Sequence, residues 1–240
     1  MPETDQEIRA AALELAQGIS RFLEDQLGDQ LLGFYLLGSL AHGGFNRRYS
    51  DIDVGLVTED GIDEALSAAI KAEAAKLSPV LAPKLSLFWA DRQFSIGRFP
   101  PLDRLDYLDK AVPLVERERI VIDRPTLSEV RAYLRGAPFE NWASGTKKFA
   151  ALTTLDPENH KPYLRAHLYP ARFAYSWRTG KMASNDDAVE YLNKNPPDGL
   201  DLALITRALE IRHAAADPDA LFTDRNLLAS QVAACTLLMD

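Results

Sequence analysis

The chain has 240 residues, 47% of them hydrophobic, so it is long enough to bury one large core or two ordinary ones. Its 27 basic and 35 acidic residues give a net charge of −8, which argues against non-specific binding to nucleic acid or to an anionic membrane and favours small-molecule partners. The single cysteine, Cys235, excludes an intramolecular disulfide, and the sequence lacks both a signal-peptide pattern and a long apolar run, so we expect a cytoplasmic protein.

The first half of the chain alternates helical and strand patterns. Apolar residues at spacings of three and four predict an amphipathic helix over residues 4–27, which ends at Gly28. Short apolar runs predict strands over residues 31–37, 50–57 and 85–90, and a helical stripe covers residues 62–77. A helix over residues 102–110 and strand-like runs at 112–115 and 119–122 follow. This order of elements indicates an α/β or α+β domain.

From Thr126 onward the pattern becomes helical. Thr126 and Glu129 have the spacing of a capping box, in which two side chains satisfy backbone N–H groups at the start of a helix. Helices are predicted near residues 126–135, 139–154, 160–180, 184–194, 199–216 and 224–239. We therefore predict two domains, residues 1–124 and an all-α helical bundle at residues 125–240.

Two carboxylates lie on the second predicted strand. Because side chains alternate along a strand, Asp51 and Asp53 share one face, roughly 7 Å apart at the backbone. The opposite face carries the apolar residues Ile52, Val54 and Leu56. Neighbouring carboxylates repel each other unless a cation lies between them, and Mg²⁺ prefers oxygen ligands while leaving room for phosphate oxygens. This pair is therefore the candidate metal site and catalytic centre.

Gly38 and Ser39 end the strand that precedes the two aspartates. A residue without Cβ lets the backbone approach a ligand closely, and the Ser39 hydroxyl with nearby N–H groups can hold a phosphate. An anion site and a cation site then lie side by side. This arrangement suits a nucleoside triphosphate, because attack on its α-phosphorus needs mainly placement and charge neutralisation from the protein.

The stretch from Phe34 to Val57 combines an apolar strand, Gly38-Ser39, a glycine-rich bend and the pair Asp51-x-Asp53 on the next strand. In this order and spacing it resembles the DNA polymerase β-like nucleotidyltransferase superfamily. The resemblance implies an α+β fold, with a mixed sheet and helices in the first domain followed by the all-α bundle. It also implies Mg²⁺ as cofactor and transfer of a nucleoside monophosphate, with ATP as the expected substrate.

A second resemblance lies in the helical half. Residues 167–191, followed by a helix that carries two arginines, look like the helical C-terminal domain of the aminoglycoside 3''-adenylyltransferase group. In that group this domain closes over the nucleotide and supplies basic residues to its phosphates. The resemblance therefore implies nucleotide contacts for Arg172, Arg178 and Lys181, and a small acceptor with a hydroxyl group, such as an aminoglycoside-like molecule.

The chain departs from the superfamily on the third strand. The superfamily usually has a third carboxylate there, as metal ligand or general base, but strand parity puts Ser86 at that position. Asp91 lies one residue past the strand and on the other face, where a β-bulge could re-aim it, so it is the candidate catalytic base. Asn185 also stands where the aminoglycoside-modifying group has a lysine. We expect His42, in the glycine-rich bend, to be a surface loop residue.

These features leave three functions open. The first is an adenylyltransferase that acts on a hydroxyl group of a small acceptor. The second is a catalytically weak or inactive nucleotide-binding regulatory protein. A general base typically raises the reaction rate by ~10²–10⁴-fold, and Ser86 stands where the superfamily usually has the carboxylate. The third is a nucleotidyltransferase that modifies a protein partner.

Overall fold

A computed structural model describes residues 4–240. They form two compact units, the first ending at Arg124 and the second beginning at Pro125. The first unit contains helices and a sheet, and the second is helical. The predicted fold class, α+β with a mixed sheet in the first part of the chain and helices in the second, is therefore confirmed. The assignment of the units as a nucleotidyltransferase domain and a helical C-terminal domain stays a prediction. Within the described residues no helix is long and apolar enough to cross a membrane.

The first unit alternates helices and strands at nearly the predicted bounds. Its helices are α1 (Asp5–Leu27), α2 (Gly38–His42), α3 (Glu64–Leu77) and α4 (Pro101–Asp109). Its strands are β1 (Leu31–Leu36), β2 (Ile52–Thr58), β3 (Leu85–Ala90), β4 (Gly97–Arg98) and β5 (Val112–Glu116). Short 3-10 turns at Gly28–Gln30 and Ala82–Lys84 lead into β1 and β3.

The strands of the described part form one mixed sheet in the order β4-β3-β2-β1-β5. Strand β1 pairs antiparallel with both β2 and β5, and β3 pairs antiparallel with β4, whereas β2 and β3 are parallel. Because β1 and β2 are antiparallel neighbours, the end of β1 meets the start of β2. This topology brings Gly38 to the strand end at which Asp53 lies.

Each face of the sheet packs against its own core. On one face the apolar stripes of α1 and α3 cover residues that include Phe34, Val54 and Leu56. On the other face α4 and the loop before it contribute a cluster of aromatic rings, with Tyr107 edge-on to Tyr35 at 5.2 Å between centroids. Both faces of the sheet are therefore buried, and the Tyr107 side chain anchors α4 to the sheet.

The second unit consists of helices joined by short turns. They are α5 (Leu127–Arg135), α6 (Ala137–Ala150), α7 (His160–Thr179), α8 (Asn185–Lys194), α9 (Leu202–His213) and α10 (Leu227–Met239). Additional 3-10 turns lie at Pro157–Asn159 and Pro218–Asp224. The predicted capping box is confirmed: the Thr126 hydroxyl accepts a hydrogen bond from the Glu129 N–H, and the Glu129 carboxylate accepts one from the Thr126 N–H.

The run at residues 119–122 does not form a strand, so this prediction was wrong. Ile120 is buried in the aromatic core and its backbone oxygen accepts a hydrogen bond from the Tyr107 hydroxyl at 3.0 Å, whereas Val121 is 89% exposed. Side-chain packing, rather than a β-ladder, holds the segment. Sequence reasoning also missed the two-residue strand β4 and the short helix α2, because neither is long enough to show a periodic pattern.

The second unit buries a histidine in its interior. His167 on α7 is 1% exposed, and neither ring nitrogen has a hydrogen-bond partner among the described residues. Its ring packs edge-on against Tyr163, with 4.8 Å between the centroids. Burial lowers the pKa of His167 to about 4, although the negative charge of Asp224 acts in the opposite direction. The folded chain therefore favours the neutral imidazole.

We expect the free energy of unfolding to fall as the pH is lowered from 7 to 4. The unfolded chain protonates His167 near pH 6.5, but the folded chain resists protonation until about pH 4. Stability is therefore full above pH 6.5 and is lost on acidification, by roughly 3 kcal/mol at pH 4. Urea unfolding at several pH values should show a shallower dependence for His167→Leu. The buried Leu164 on the same helix supplies the control: Leu164→Ala removes no titratable group, so it should lower stability but keep the wild-type slope, and equal slopes for all three proteins would contradict the prediction.

Candidate active site

The turn that follows β1 depends on Gly38. Its φ of +57° lies in the left-handed region that favours glycine. A Cβ atom at this position would lie 2.3 Å from Oδ2 of Asp53, far inside van der Waals contact. The Leu37 N–H donates to the backbone oxygen of Asp53 at 2.9 Å, which ties the end of β1 to the start of β2. The Asp53 carboxylate therefore rests against the backbone of Gly38.

The loop between α2 and β2 is held by the side chain of Asn46. The Asn46 Oδ1 accepts hydrogen bonds from the N–H groups of Arg48 and Tyr49, at 2.9 and 3.0 Å, which is a local turn typical of asparagine. The Asn46 N–H donates to the Ser50 hydroxyl at 2.9 Å, and the Ser39 hydroxyl lies 3.0 Å from the same oxygen. The loop thus joins Ser50, directly before Asp51, to Ser39 on α2.

Asp53 and Ser86 are register partners on the parallel strands β2 and β3. Alternate residues of β3 pack with the α1 and α3 core, namely Leu85, Leu87 and Trp89. The intervening residues Phe88 and Ala90 belong to the opposite core. The predicted parity is therefore confirmed, and Ser86 shares a face of the sheet with Asp53. Asp51 lies immediately before β2 and is half-buried.

Asp106 on α4 is a residue of this region that sequence reasoning missed. Its carboxylate is buried and accepts a hydrogen bond from the Gly38 N–H at 2.8 Å, while its other oxygen lies 2.7 Å from Nε2 of His42. The prediction of His42 as a surface loop residue was wrong, because its side chain is 7% exposed and paired with Asp106. The Gly38 N–H is thus already engaged, and the Asp53 carboxylate lies where a side chain at Gly38 would be.

Asp91 is bound within its own loop. Its carboxylate accepts hydrogen bonds from the Ser95 hydroxyl at 2.6 Å and from the N–H groups of Ser95 and Ile96 at 2.7 and 3.1 Å. Burial by itself raises the pKa of the Asp91 carboxyl, but these hydrogen bonds outweigh burial and hold the pKa below its usual value. A base at this position would have to leave three donors, and the role of Asp91 in catalysis stays a prediction.

The basic residues assigned to the nucleotide lie in the second unit. Arg172 on α7 and Lys181, just after that helix, are both exposed. The Arg178 guanidinium donates to the backbone oxygen of Asn195 at 2.6 Å. Asn185 is the first residue of α8. The roles of Arg172, Arg178 and Lys181 in binding ATP stay predictions.

The candidate metal ligands are the carboxylates of Asp51 and Asp53. Among residues 4–240, no group of three or more histidine, cysteine, aspartate or glutamate side chains could enclose a metal ion. A magnesium ion typically uses one or two protein carboxylates and completes its shell with water and substrate phosphates. Two carboxylates are therefore enough for Mg²⁺ bound together with a nucleotide. The Asp53 carboxylate lies against the backbone of Gly38, where a Cβ atom would clash with it.

A likeness to a solved structure extends over nearly the whole chain. The crystal structure of spectinomycin adenyltransferase AAD(9) from Enterococcus faecialis with ATP and spectinomycin matches it with a TM-score of 0.62, covering 95% of this chain and 99% of that chain. The fold of this chain is therefore similar to that of AAD(9). The sequences are 15% identical, so the likeness concerns the fold alone. A scan against protein-family models and a search of curated proteins each find no match.

We expect Gly38→Ala to lower stability more than a positive φ alone explains. Holding a non-glycine residue at positive φ costs about 1–3 kcal/mol, and at Gly38 the added methyl group would also displace the Asp53 carboxylate. Gly28 is a stringent control: its φ is +50°, its ψ of −126° is unfavourable for any other residue, and a Cβ there meets no atom within 4 Å, so a larger loss at Gly38 reports the contact with Asp53. Urea unfolding compares Gly38→Ala with Gly28→Ala. Equal losses would show that the contact with Asp53 carries no steric constraint.

Proposed function

We propose that the protein is a Mg²⁺-dependent adenylyltransferase that transfers AMP from ATP to a hydroxyl group of a small acceptor. The observation that carries this proposal is the contact of the Gly38 turn with the Asp53 carboxylate, beside the hydrogen-bonded hydroxyls of Ser39 and Ser50. Such a corner offers hydroxyl groups that can bind phosphates and a carboxylate that can bind a metal. The likeness in fold to the adenyltransferase AAD(9) supports the same class of reaction.

In the proposed reaction the acceptor oxygen attacks the α-phosphorus of ATP, the bond to the bridging oxygen breaks, and pyrophosphate leaves. The acceptor hydroxyl loses its proton to a base or to solvent. Asp51 and Asp53 would hold Mg²⁺, which when bound neutralises charge on the phosphate oxygens. Ser39 would orient a phosphate oxygen, and the absence of a side chain at Gly38 lets the Asp53 carboxylate lie against the turn.

The acceptor that we propose to test first is spectinomycin, because it is bound by the structural neighbour. Related cationic aminoglycosides are the next candidates. The net charge of −8 would attract a cationic acceptor and increase its rate of encounter with the protein. This choice follows from charge and from the likeness in fold.

A second candidate function is nucleotide binding without efficient transfer. It is favoured by Ser86, which pairs in register with Asp53, since a hydroxyl neither binds Mg²⁺ as well as a carboxylate nor accepts a proton at neutral pH. Release of pyrophosphate in the presence of acceptors separates the two functions. Transfer of labelled AMP to a protein instead would identify the third alternative, modification of a protein partner.

We expect ATP and Mg²⁺ together to raise the melting temperature more than either alone. The two carboxylates would repel the phosphates unless the metal lies between them, and ligand at a hundred times its Kd stabilises a protein by about 2.7 kcal/mol. Thermal unfolding of the wild type and of Asp51→Asn/Asp53→Asn measures the effect, which should vanish in the double variant.

The matched control for this experiment is Asp25→Asn/Asp60→Asn. It makes the same change in charge at two exposed aspartates of the same unit. The control should respond to Mg-ATP as the wild type does. Equal stabilisation of Asp51→Asn/Asp53→Asn would place the nucleotide elsewhere and reject the proposed site.

We expect Ser86→Glu to tighten Mg²⁺ binding and to raise the rate of pyrophosphate release by ~10-fold or more, because it restores a carboxylate beside Asp53. A third negative charge near two others should also lower stability somewhat. Ala68→Glu, an exposed position on α3, controls for the added charge and should leave both quantities unchanged. Mg²⁺ titration and pyrophosphate assays with a panel of hydroxyl acceptors measure them.

Asp91→Asn tests the competing base in the same assays. If Asp91 serves as the base, this variant loses turnover and Ser86→Glu brings no gain. If Asp91 only closes its loop, Asp91→Asn retains turnover while losing thermal stability, because Ser95 and Ile96 lose a charged acceptor. Absence of turnover in every variant, with Mg-ATP binding intact, would favour the non-catalytic function.

A further inference from the structure

Asp106 contacts both ends of the short helix α2. One carboxylate oxygen accepts a hydrogen bond from the N–H of Gly38, the first residue of α2, at 2.8 Å. The other lies 2.7 Å from Nε2 of His42, the last residue of α2. Asp106 is 4% exposed, so both contacts are shielded from water. One buried side chain from α4 therefore spans the whole of α2.

Helix α2 has little capacity to hold its own conformation. It has five residues, and a helix of this length is unstable in isolation because nucleation fixes several residues for one hydrogen bond. It also begins at a residue with positive φ and ends before another glycine, Gly43, with positive φ. External contacts must supply the order that the segment lacks, and Asp106 makes two of them.

The position of Asp106 is itself well determined. The adjacent Tyr107 is fully buried, donates its hydroxyl hydrogen to the Ile120 backbone oxygen at 3.0 Å and packs against Tyr35 and Phe94, with 5.2 and 5.3 Å between ring centroids. Tyr35 belongs to β1, the strand that leads into the Gly38 turn. The same strand and helix thus fix both partners of the hydrogen bond between Asp106 and Gly38.

We propose that Asp106 is a positioning residue for the nucleotide, which acts through Gly38 and His42 to hold the turn that packs against Asp53. The proposal rests on the proposed function. Loss of the carboxylate frees the Gly38 N–H and the His42 ring, so the turn samples conformations in which Gly38 and Ser39 no longer face the phosphates. Asp106 itself does not touch the substrate in this role.

The test compares three variants on one helix by calorimetric titration of Mg-ATP. Asp106→Ala should weaken binding by about tenfold, because it removes two buried hydrogen-bonding contacts. Asp106→Asn should retain most of the affinity, since its amide oxygen can accept from the Gly38 N–H while its NH₂ group can donate to Nε2 of His42. Asp109→Ala, which removes an exposed carboxylate paired with Arg124, should bind as the wild type does.

His42 provides a second, milder variant in case Asp106→Ala fails to fold. His42→Ala removes one of the two contacts and should weaken Mg-ATP binding less than Asp106→Ala does. In the double variant Asp106→Ala/His42→Ala, the His42 substitution should weaken Mg-ATP binding almost no further, because Asp106→Ala has already removed the contact through which His42 acts. Additive losses would overturn the proposal.

Hydrogen exchange of the apo protein separates this proposal from the proposed function. In Asp106→Ala the amides of residues 38–42 should exchange faster, while those of β2 keep the wild-type protection. Unchanged exchange in α2, or unchanged Mg-ATP affinity in a folded Asp106→Ala protein, would overturn the positioning role. If the wild type binds no Mg-ATP, the proposed function fails and the nucleotide part of this proposal fails with it, whereas faster exchange would still establish Asp106 as the residue that orders α2.

Discussion

The candidate active site depends on the close approach of the Gly38 backbone to the Asp53 carboxylate. A Cβ at Gly38 would lie 2.3 Å from Asp53 Oδ2, so any other residue at this position would displace the Asp53 carboxylate. The positive φ of Gly38 turns the chain into α2, which carries Ser39 to the hydroxyl of Ser50. One steric constraint thus aligns the end of β1, the helix α2 and the start of β2.

Two carboxylates approach Gly38, and their surroundings separate their roles. Asp106 is buried and its negative charge is offset by the Gly38 N–H and by the side chain of His42. Asp53 is half-buried and faces Ser86 across parallel strands. A buried carboxylate that is fully hydrogen-bonded serves structure, whereas one at an accessible strand end suits a metal and a phosphate. Asp106, on α4, therefore supports the turn at Gly38, whereas Asp53, on β2, is the proposed metal ligand.

The Asp91 carboxylate, directly after β3, is bound by donors of its own loop. Three donors from Ser95 and Ile96 surround its carboxylate, and the pKa stays low despite burial. A general base at neutral pH works best with a pKa near 7, so this environment opposes that task. In the proposed reaction, neither Asp91 nor Ser86 therefore offers a carboxylate suited to act as the base.

The sequence by itself determined most of the order of elements, the two-part fold class and the face of the sheet that Asp53 shares with Ser86. Those properties are local, because strand alternation and helical spacing are read within a few residues. The tertiary structure alone decided that Asp106 and His42 belong to the turn at Gly38 and that the run at residues 119–122 is not a strand. The two contacts of Asp106 join segments more than sixty residues apart, and no local pattern encodes which distant side chain will meet a given N–H group.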